Sequence, residues 1–384
     1  MSTDVTRATG SGLGDPSDPD ETAEISVDGI GEPVVVEEER LRDYTKLRRI
    51  LLAVWAASVV IFFWQTGIAA DRTSLIFILA LGMAAATVGR RRVITVLIDW
   101  LPFVLILMLY DSTRNVAVWL GMPTHWHLAP DVDHWMFGVN PTVWLQSHIK
   151  HGEPPWWEVI VSAVYMSYFV VPYATAAILW VRDRFAWRRF AACFIAVSFI
   201  GLIGYTLVPA APPWAAAKCT AQEVADSPHD PPCMYQAAGV VDGNLLGEVQ
   251  PVNDDASPYV ERISDRGWGV LGLDMVVRVV QIGKSQSNLV AAIPSLHAGL
   301  TMMLALFMWP RSKWLGKTLF MGYAFAMAFA LVYTGEHYVF DIILGWLLAG
   351  AVFTVYRVVD AKYLLPRRRA KEAETGVPEA LAGS

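Results

Sequence analysis

Apolar residues in this chain come in long runs separated by short basic clusters. A helix that crosses a membrane needs about 20 mainly apolar residues. On that template the runs predict about eight spans, at roughly 50–70, 73–89, 93–110, 156–180, 190–209, 294–310, 318–335 and 338–357. The expected fold is all-α, a polytopic transmembrane helix bundle. Basic residues cluster before the first span (Arg40, Arg42, Lys46, Arg48, Arg49), between the second and third (Arg90 to Arg92) and between the fourth and fifth (Arg182, Arg184, Arg188, Arg189). They recur between the sixth and seventh (Arg311, Lys313, Lys317) and after the eighth (Arg367 to Arg369, Lys371). Eight spans put every cluster on one side, and dropping one span would divide them. Positive loops stay cytoplasmic, so both termini are expected inside. The two long connections, about 111–155 and 210–293, are then expected outside the cytoplasm.

Composition agrees with this pattern. Of 384 residues, 54% are hydrophobic and 17% charged, against about 25% charged in an ordinary soluble domain. The 16 Trp suit a chain with many membrane–water boundaries. A net charge of −6 argues against a nucleic-acid partner, which needs a basic surface. Residues 1–45 are rich in Asp and Glu with interspersed Gly and Pro, too polar to bury a core, and are expected to be a disordered cytoplasmic tail. The membrane domain is expected over 46–357, followed by a basic cytoplasmic tail over 358–384. No basic start leads into an apolar secretory core. The absence of a visible sorting signal points to a plasma membrane. Cys219 and Cys233 share the second long connection, where an oxidising compartment permits pairing and two free thiols are equally open. Cys193 falls in the fifth span and reads as packing.

Three short motifs fall at the same predicted face. Tyr205-Thr-Leu-Val-Pro-Ala-Ala-Pro-Pro-Trp214 ends the fifth span, and Pro294-Ser295-Leu296-His297 opens the sixth. Gly335-Glu336-His337-Tyr338-Val339-Phe340-Asp341 separates the seventh from the eighth. Ionisable groups at membrane depth are costly and are read as functional by default. One boundary histidine is ordinarily a hydrogen-bonded interfacial residue. Two at one depth, with a carboxylate at i+4, change that balance. His337 and Asp341 share a helix face, so the carboxylate can fix the imidazole tautomer and leave the other nitrogen as nucleophile or base. His297 at the same depth can protonate a leaving group. Pro294 suits a first helical position, two helix N-termini favour an anion there, and the Ser295 hydroxyl adds a donor. The set reads as phosphoryl transfer through a phosphohistidine: His337 nucleophile, Asp341 orienting, His297 acid.

These motifs resemble the second and third motifs of the type 2 phosphatidic acid phosphatase superfamily, and most closely its inositol phosphorylceramide synthase branch. The resemblance covers roughly 190–357, and implies an integral membrane enzyme that needs no metal or other cofactor, with its catalytic core in the last five to six helices. It implies the same roles for His337, Asp341 and His297. The implied partners are a membrane phospholipid donor and a lipid or alcohol acceptor, with a phospho-headgroup, phosphoinositol in that branch, passing between them. A lipid phosphatase would use the same intermediate with water as acceptor. The chain departs from the phosphatases where they carry Lys and Arg-Pro, having Ala-Pro-Pro-Trp instead, and it has Leu296 where they usually have Gly. Another cation must then hold the phosphate. Lys218, Arg262, Arg266, Arg278 and Lys284 are on offer, with Arg262 chosen, although a solvated loop charge is an equal reading of that residue.

A second cluster, His125, His127, Asp131, Asp133 and His134, has metal-ligand residue types. No i, i+4 pair supports a metal there, and shaping a headgroup pocket is the alternative. Asp111 and Arg114 read as a boundary ion pair. A transporter would place ionisable groups mid-span in matched halves. Asp99 is the only such candidate, and no internal repeat is visible. A non-catalytic lipid-binding protein is the remaining alternative.

Overall fold

The computed structural model describes residues 44–66, 72–89, 93–113, 116, 120–229, 231–235, 243–273, 277, 281, 289–367, 370 and 373. The tail over 1–43, Arg90 to Arg92, Arg114, Arg278, Lys284 and most of the C-terminal tail lie outside the described residues, as does the Asp111 side chain. The described residues are helical, with isolated bridges but no strand. Eleven main helices follow in order: α1 (Thr45–Thr66), α2 (Arg72–Thr87), α3 (Val93–Thr113), α4 (Leu128–Phe137), α5 (Pro141–Ile149), α6 (Trp157–Ser167), α7 (Val171–Arg182), α8 (Arg184–Leu207), α9 (Leu296–Met308), α10 (Trp314–Tyr333) and α11 (Val339–Val359).

Among the described residues, α8, α10 and the helix from Val339 through Arg367 are long and apolar enough to cross a membrane. The bent pair α6 and α7 makes a fourth candidate if it is one span, broken by 53° at Tyr168–Val170. The span predicted at 156–180 is therefore two helices. Pro172 removes a backbone donor at the start of α7, and the residues before it leave the ladder of α6. The span predicted at 294–310 is shorter than expected. Helix α9 has 13 residues, about 20 Å at 1.5 Å per residue.

The shortness of α9 follows from its place. It is apolar on nearly every side and buried along most of its length, including Leu300, Met303, Leu304 and Phe307. A helix apolar all round belongs in an interior. It packs against α8, α10 and α11 in the main hydrophobic cluster. Glycines set the closest approaches. A Cβ on Gly201 or Gly204 of α8 would lie 2.5 Å from Leu296 and 2.6 Å from Pro294. On the other flank a Cβ on Gly299 would lie 3.1 Å from the Gly345 carbonyl of α11, and one on Gly345 would meet the Ser295 carbonyl. Small residues let apolar helices approach closely where water supplies no driving force between them. Here they seat the Pro-Ser-Leu-His segment between α8 and α11.

The connection over 243–273 is pinned from below. Gln146 donates to the Glu261 and Tyr333 carbonyls, at 2.8 Å each, and accepts from the Glu261 N–H at 2.9 Å. Lys150, fully buried, donates to Ser257 and to the Tyr259 carbonyl. Arg266 makes two hydrogen bonds to Glu158, which also accepts from Tyr333 Oη at 2.6 Å. Cys219 and Cys233 form a disulfide in the preceding part of this connection, and Cys193 is a buried thiol in α8.

Candidate active site

Each pair of the three motifs is joined by a hydrogen bond. The Trp214 N–H donates to the Gly335 carbonyl at 3.0 Å, and the Ser295 N–H donates to the Asp341 carbonyl at 3.0 Å. The Leu296 N–H donates to Tyr205 Oη at 3.3 Å. The turn carrying His337 has a local cause. Helix α10 stops at Gly335, whose φ of 73° only glycine adopts readily, and the N–H groups of Glu336 and His337 fold back to the Leu331 carbonyl.

His297 stands in the first turn of α9 and His337 in the turn before α11, and their ring centroids lie 5.8 Å apart. The predicted His337–Asp341 pair is present but long, with Nδ1 3.4 Å from Oδ2, and it does not lie on one helix face as expected, because α11 begins only at Val339. The same oxygen accepts the Tyr338 N–H at 3.0 Å, so Asp341 also caps its own helix. The Ala292 backbone makes a further hydrogen bond with the His337 ring. Asp341 is fully buried, and His337 is 6% exposed. His297 Nε2 and Asp341 Oδ1 are buried without a hydrogen-bond partner. Such atoms are rare in folded proteins and call for an explanation.

The helix starts differ from expectation. Ser295, not Pro294, sets the boundary of α9, because its Oγ accepts the Ala298 N–H at 3.3 Å and a capping acceptor outranks a missing donor. The Ser295 hydroxyl keeps its own proton for donation. At α11 the N–H groups of Val339 and Phe340 donate to Asp133 at 2.9 and 2.8 Å. The expected anion-binding N–H groups are therefore largely taken by side chains. This also separates the second cluster. Asp133 is buried under α11, while His125, His127, Asp131 and His134 are exposed. No three metal-ligating side chains converge among the described residues. Burial lifts the Asp133 carboxyl to about 6, against the lowering effect of the two N–H groups it caps.

Arg262 is not a solvated loop charge. Its Nε and Nη2 reach the two carboxylate oxygens of Glu336 at 3.0 and 2.9 Å, and Ser264 donates to the same carboxylate. Its guanidinium lies 4.8 Å from the Trp214 ring centroid. Burial pulls the Arg262 guanidinium down, and the Glu336 carboxylate more than offsets it. Arg262 also exerts charge on both His297 and His337. Arg266 is held by Glu158, away from this set.

The spacing of residues gave no sign of an aromatic roof. At the α6–α7 break, Tyr168 and Tyr165 lie against the His297 ring, at centroid distances of 4.0 and 5.4 Å, and Phe169 meets it edge-on at 6.0 Å. Tyr165 also hydrogen-bonds Ser264, linking the roof to Glu336 and Arg262. Glu336, Asp133 and Tyr205 were likewise legible only as members of motifs.

The residue pattern of the PAP2 superfamily matches residues 131–355, from α4 through most of α11. The chain belongs to the PAP2 superfamily. Its apolar helices and its family make it a membrane protein that acts on lipid phosphates. The match contains every residue of the site described above and leaves α1 to α3 outside. Within the PAP2 superfamily, the chain is similar to phosphoinositol dihydroceramide synthase of Bacteroides thetaiotaomicron. The two are 25% identical over 250 residues, which is 64% of this chain and 71% of that protein. No solved structure matches this PAP2 protein significantly.

Proposed function

We propose that this PAP2 protein is a phosphotransferase that moves a phospho-headgroup between lipids through a phosphohistidine. The observation that carries the reading is the approach of His297, at the start of α9, and His337, in the turn before α11, with Asp341 behind His337. His337 attacks the phosphorus of the donor, the bond from phosphorus to the glycerol oxygen breaks, and His297 gives that oxygen its proton. The acceptor hydroxyl then attacks the phosphohistidine. Its proton returns to His297 and the phosphorus–nitrogen bond breaks. Asp341 orients the His337 ring and stabilises its positive charge. Arg262 and the Ser295 hydroxyl hold the phosphate oxygens. These steps assign every proton and charge to side chains, so turnover is expected to survive chelation.

Two features favour a lipid hydroxyl over water as acceptor. The site is buried, and Tyr165, Tyr168 and Phe169 cover His297. The similarity to a phosphoinositol dihydroceramide synthase favours phosphoinositol as the group moved. The basic clusters, read on the eight-span expectation, favour the extracytoplasmic face of a plasma membrane for the site, with both termini inside. The disulfide between Cys219 and Cys233 supports that side.

The test is lipid mass spectrometry on purified protein given phosphatidylinositol and a long-chain alcohol or ceramide, with and without chelator. A new phosphoinositol lipid, lost in His337→Ala and His297→Ala, is expected. Free inositol phosphate alone would replace the transferase with a lipid phosphodiesterase, water taking the acceptor's place. Labelling of cysteines introduced at Trp135 and Ser312 from each side of sealed vesicles tests the topology, with Trp135 expected outside and Ser312 inside.

A further inference from the structure

The end of α10 and the segment carrying Arg262 run side by side. The Ile263 N–H donates to the Thr334 carbonyl at 3.2 Å, and Gln146 bonds both the Tyr333 carbonyl and the backbone of Glu261. The approach is close, since a Cβ on Gly335 would lie 2.9 Å from the Glu261 carbonyl. The backbone on both sides of Arg262 is therefore fixed to the end of α10, next to the turn that carries His337. A long side chain on a fixed backbone still has many rotamers open to it. For Arg262 the neighbours select one. Glu336 accepts from Nε and Nη2 along one edge, and the Trp214 ring centroid lies 4.8 Å from the guanidinium, where a cation is attracted to the ring face. The Trp214 N–H is bonded in turn to the Gly335 carbonyl. Three consecutive residues, Gly335, Glu336 and His337, thus bond Trp214, hold Arg262 and supply the attacking imidazole.

The Glu336 carboxylate is joined to the other histidine as well. It accepts from Ser264, and Tyr165 hydrogen-bonds Ser264 and stacks on the His297 ring at 5.4 Å. Glu336 and Arg262 each exert charge on both His297 and His337. A buried ion pair is by itself weak evidence of anything but structure. This one is tied to both histidines by named contacts.

We infer that Glu336 is a positioning residue for headgroup transfer, aiming Arg262 at the phosphate and fixing the guanidinium in register with His337. This deepens the lipid-phosphate reading above and rests on it for the identity of the ligand. A guanidinium has five N–H donors, and Glu336 takes two along one edge. A phosphate oxygen can therefore be bound while the ion pair stays whole. Glu336 itself touches no substrate atom and acts through Arg262.

The test is a double-mutant cycle with two readouts. With phosphatidylinositol and a long-chain alcohol in mixed micelles, Arg262→Gln and Glu336→Gln should each lower kcat/KM about tenfold to a hundredfold. The double variant should be no worse than Arg262→Gln, whereas independent roles would multiply the losses. Glu336→Asp keeps the charge and withdraws the carboxylate by one methylene, and should lose about tenfold or more per folded molecule. It leaves no buried cation unpaired, so it enters the cycle if Glu336→Gln fails to fold. The second readout is the rise in melting temperature with inorganic phosphate, where the same non-additive pattern is expected. Losses that multiply in the double variant, or a Glu336→Asp protein with unchanged kcat/KM per folded molecule, would overturn the inference. Non-additive phosphate binding in a protein that turns over no lipid would uphold the Glu336–Arg262 coupling and remove the transferase reading instead. A protein that neither turns over lipid nor responds to phosphate would remove both.

Discussion

Two buried carboxylates, near opposite ends of α8, are treated differently by their surroundings. Asp99 of α3 is paired with Arg184, has Arg188 at 3.9 Å, and accepts from Trp180 Nε1 at 2.9 Å. Asp341, at the other end, faces a histidine 3.4 Å away and one backbone N–H, and keeps a buried oxygen with no partner. A buried carboxylate with a guanidinium and a further donor is complete, and it ties α3 to α7 and α8. One that is only partly satisfied stores an electrostatic deficit, which a positive charge on His337 relieves. Two arginines four residues apart are alike in completeness, each bidentate on a glutamate, and differ in place. Arg266 closes a set with Glu158 and Tyr333 far from the histidines, while Arg262 closes one with Glu336 beside them. Among the carboxylates, completeness marks structure, and deficit near other reactive groups marks chemistry. Asp99, the one residue that favoured a proton-relay transporter, falls on the structural side.

The largest expected effect is at the histidines. His337→Ala should lower kcat by about a thousandfold or more, and His297→Ala by about 10²–10⁴, with melting temperatures little changed. Kinetics of the purified variants would check both, and activity persisting in His337→Ala would erase the contrast. Asp341→Asn should cost about a hundredfold in kcat, because the amide neither fixes the tautomer nor offsets the ring charge. Asp99→Asn should behave in the opposite way, losing about 1–3 kcal/mol of stability while kcat per folded molecule holds. Equal effects of the two substitutions on kcat would break the distinction between them.

Much of the site was readable because its residues fall in local patterns. The i, i+4 relation of His337 and Asp341 and the matching depth of His297 need only spacing and span edges. Ser295 as the α9 cap was within reach too, since serine is a preferred N-cap, yet the adjacent proline drew the first helical position two residues early. What spacing does not encode is pairing across distant segments. Asp133 lies 206 residues from the N–H it caps, and Arg262 lies 74 from Glu336. The tyrosine roof depends on a helix break inside an apolar run that reads as continuous. The 13-residue α9 has the same origin. Hydropathy counts apolar residues, and a short helix enclosed by its neighbours looks like one that crosses alone.

Two smaller effects sharpen the comparison. Gly345→Val should strain the α9–α11 contact by about 1–3 kcal/mol, the range for overpacking. It should depress kcat more than its stability cost explains, since the same contact sets the separation of the histidines. Thermal melting beside kinetics would show this, and a purely thermal effect would mean the rings tolerate the shift. Asp133→Ala should cost about 1 kcal/mol as a lost helix cap and leave metal content, read by elemental analysis, unchanged. A loss of bound metal in that variant would restore the second cluster as a metal site.

The most direct test of the account is to trap the intermediate. Protein mixed with a phosphatidylinositol carrying labelled phosphorus and no acceptor, quenched in base where phosphohistidine persists, would be digested and its peptides sequenced by mass spectrometry. The account predicts phosphoinositol on His337, released when an acceptor alcohol is added and absent from His337→Ala. Label on His297 instead, or turnover with no labelled peptide at any quench time, would contradict it.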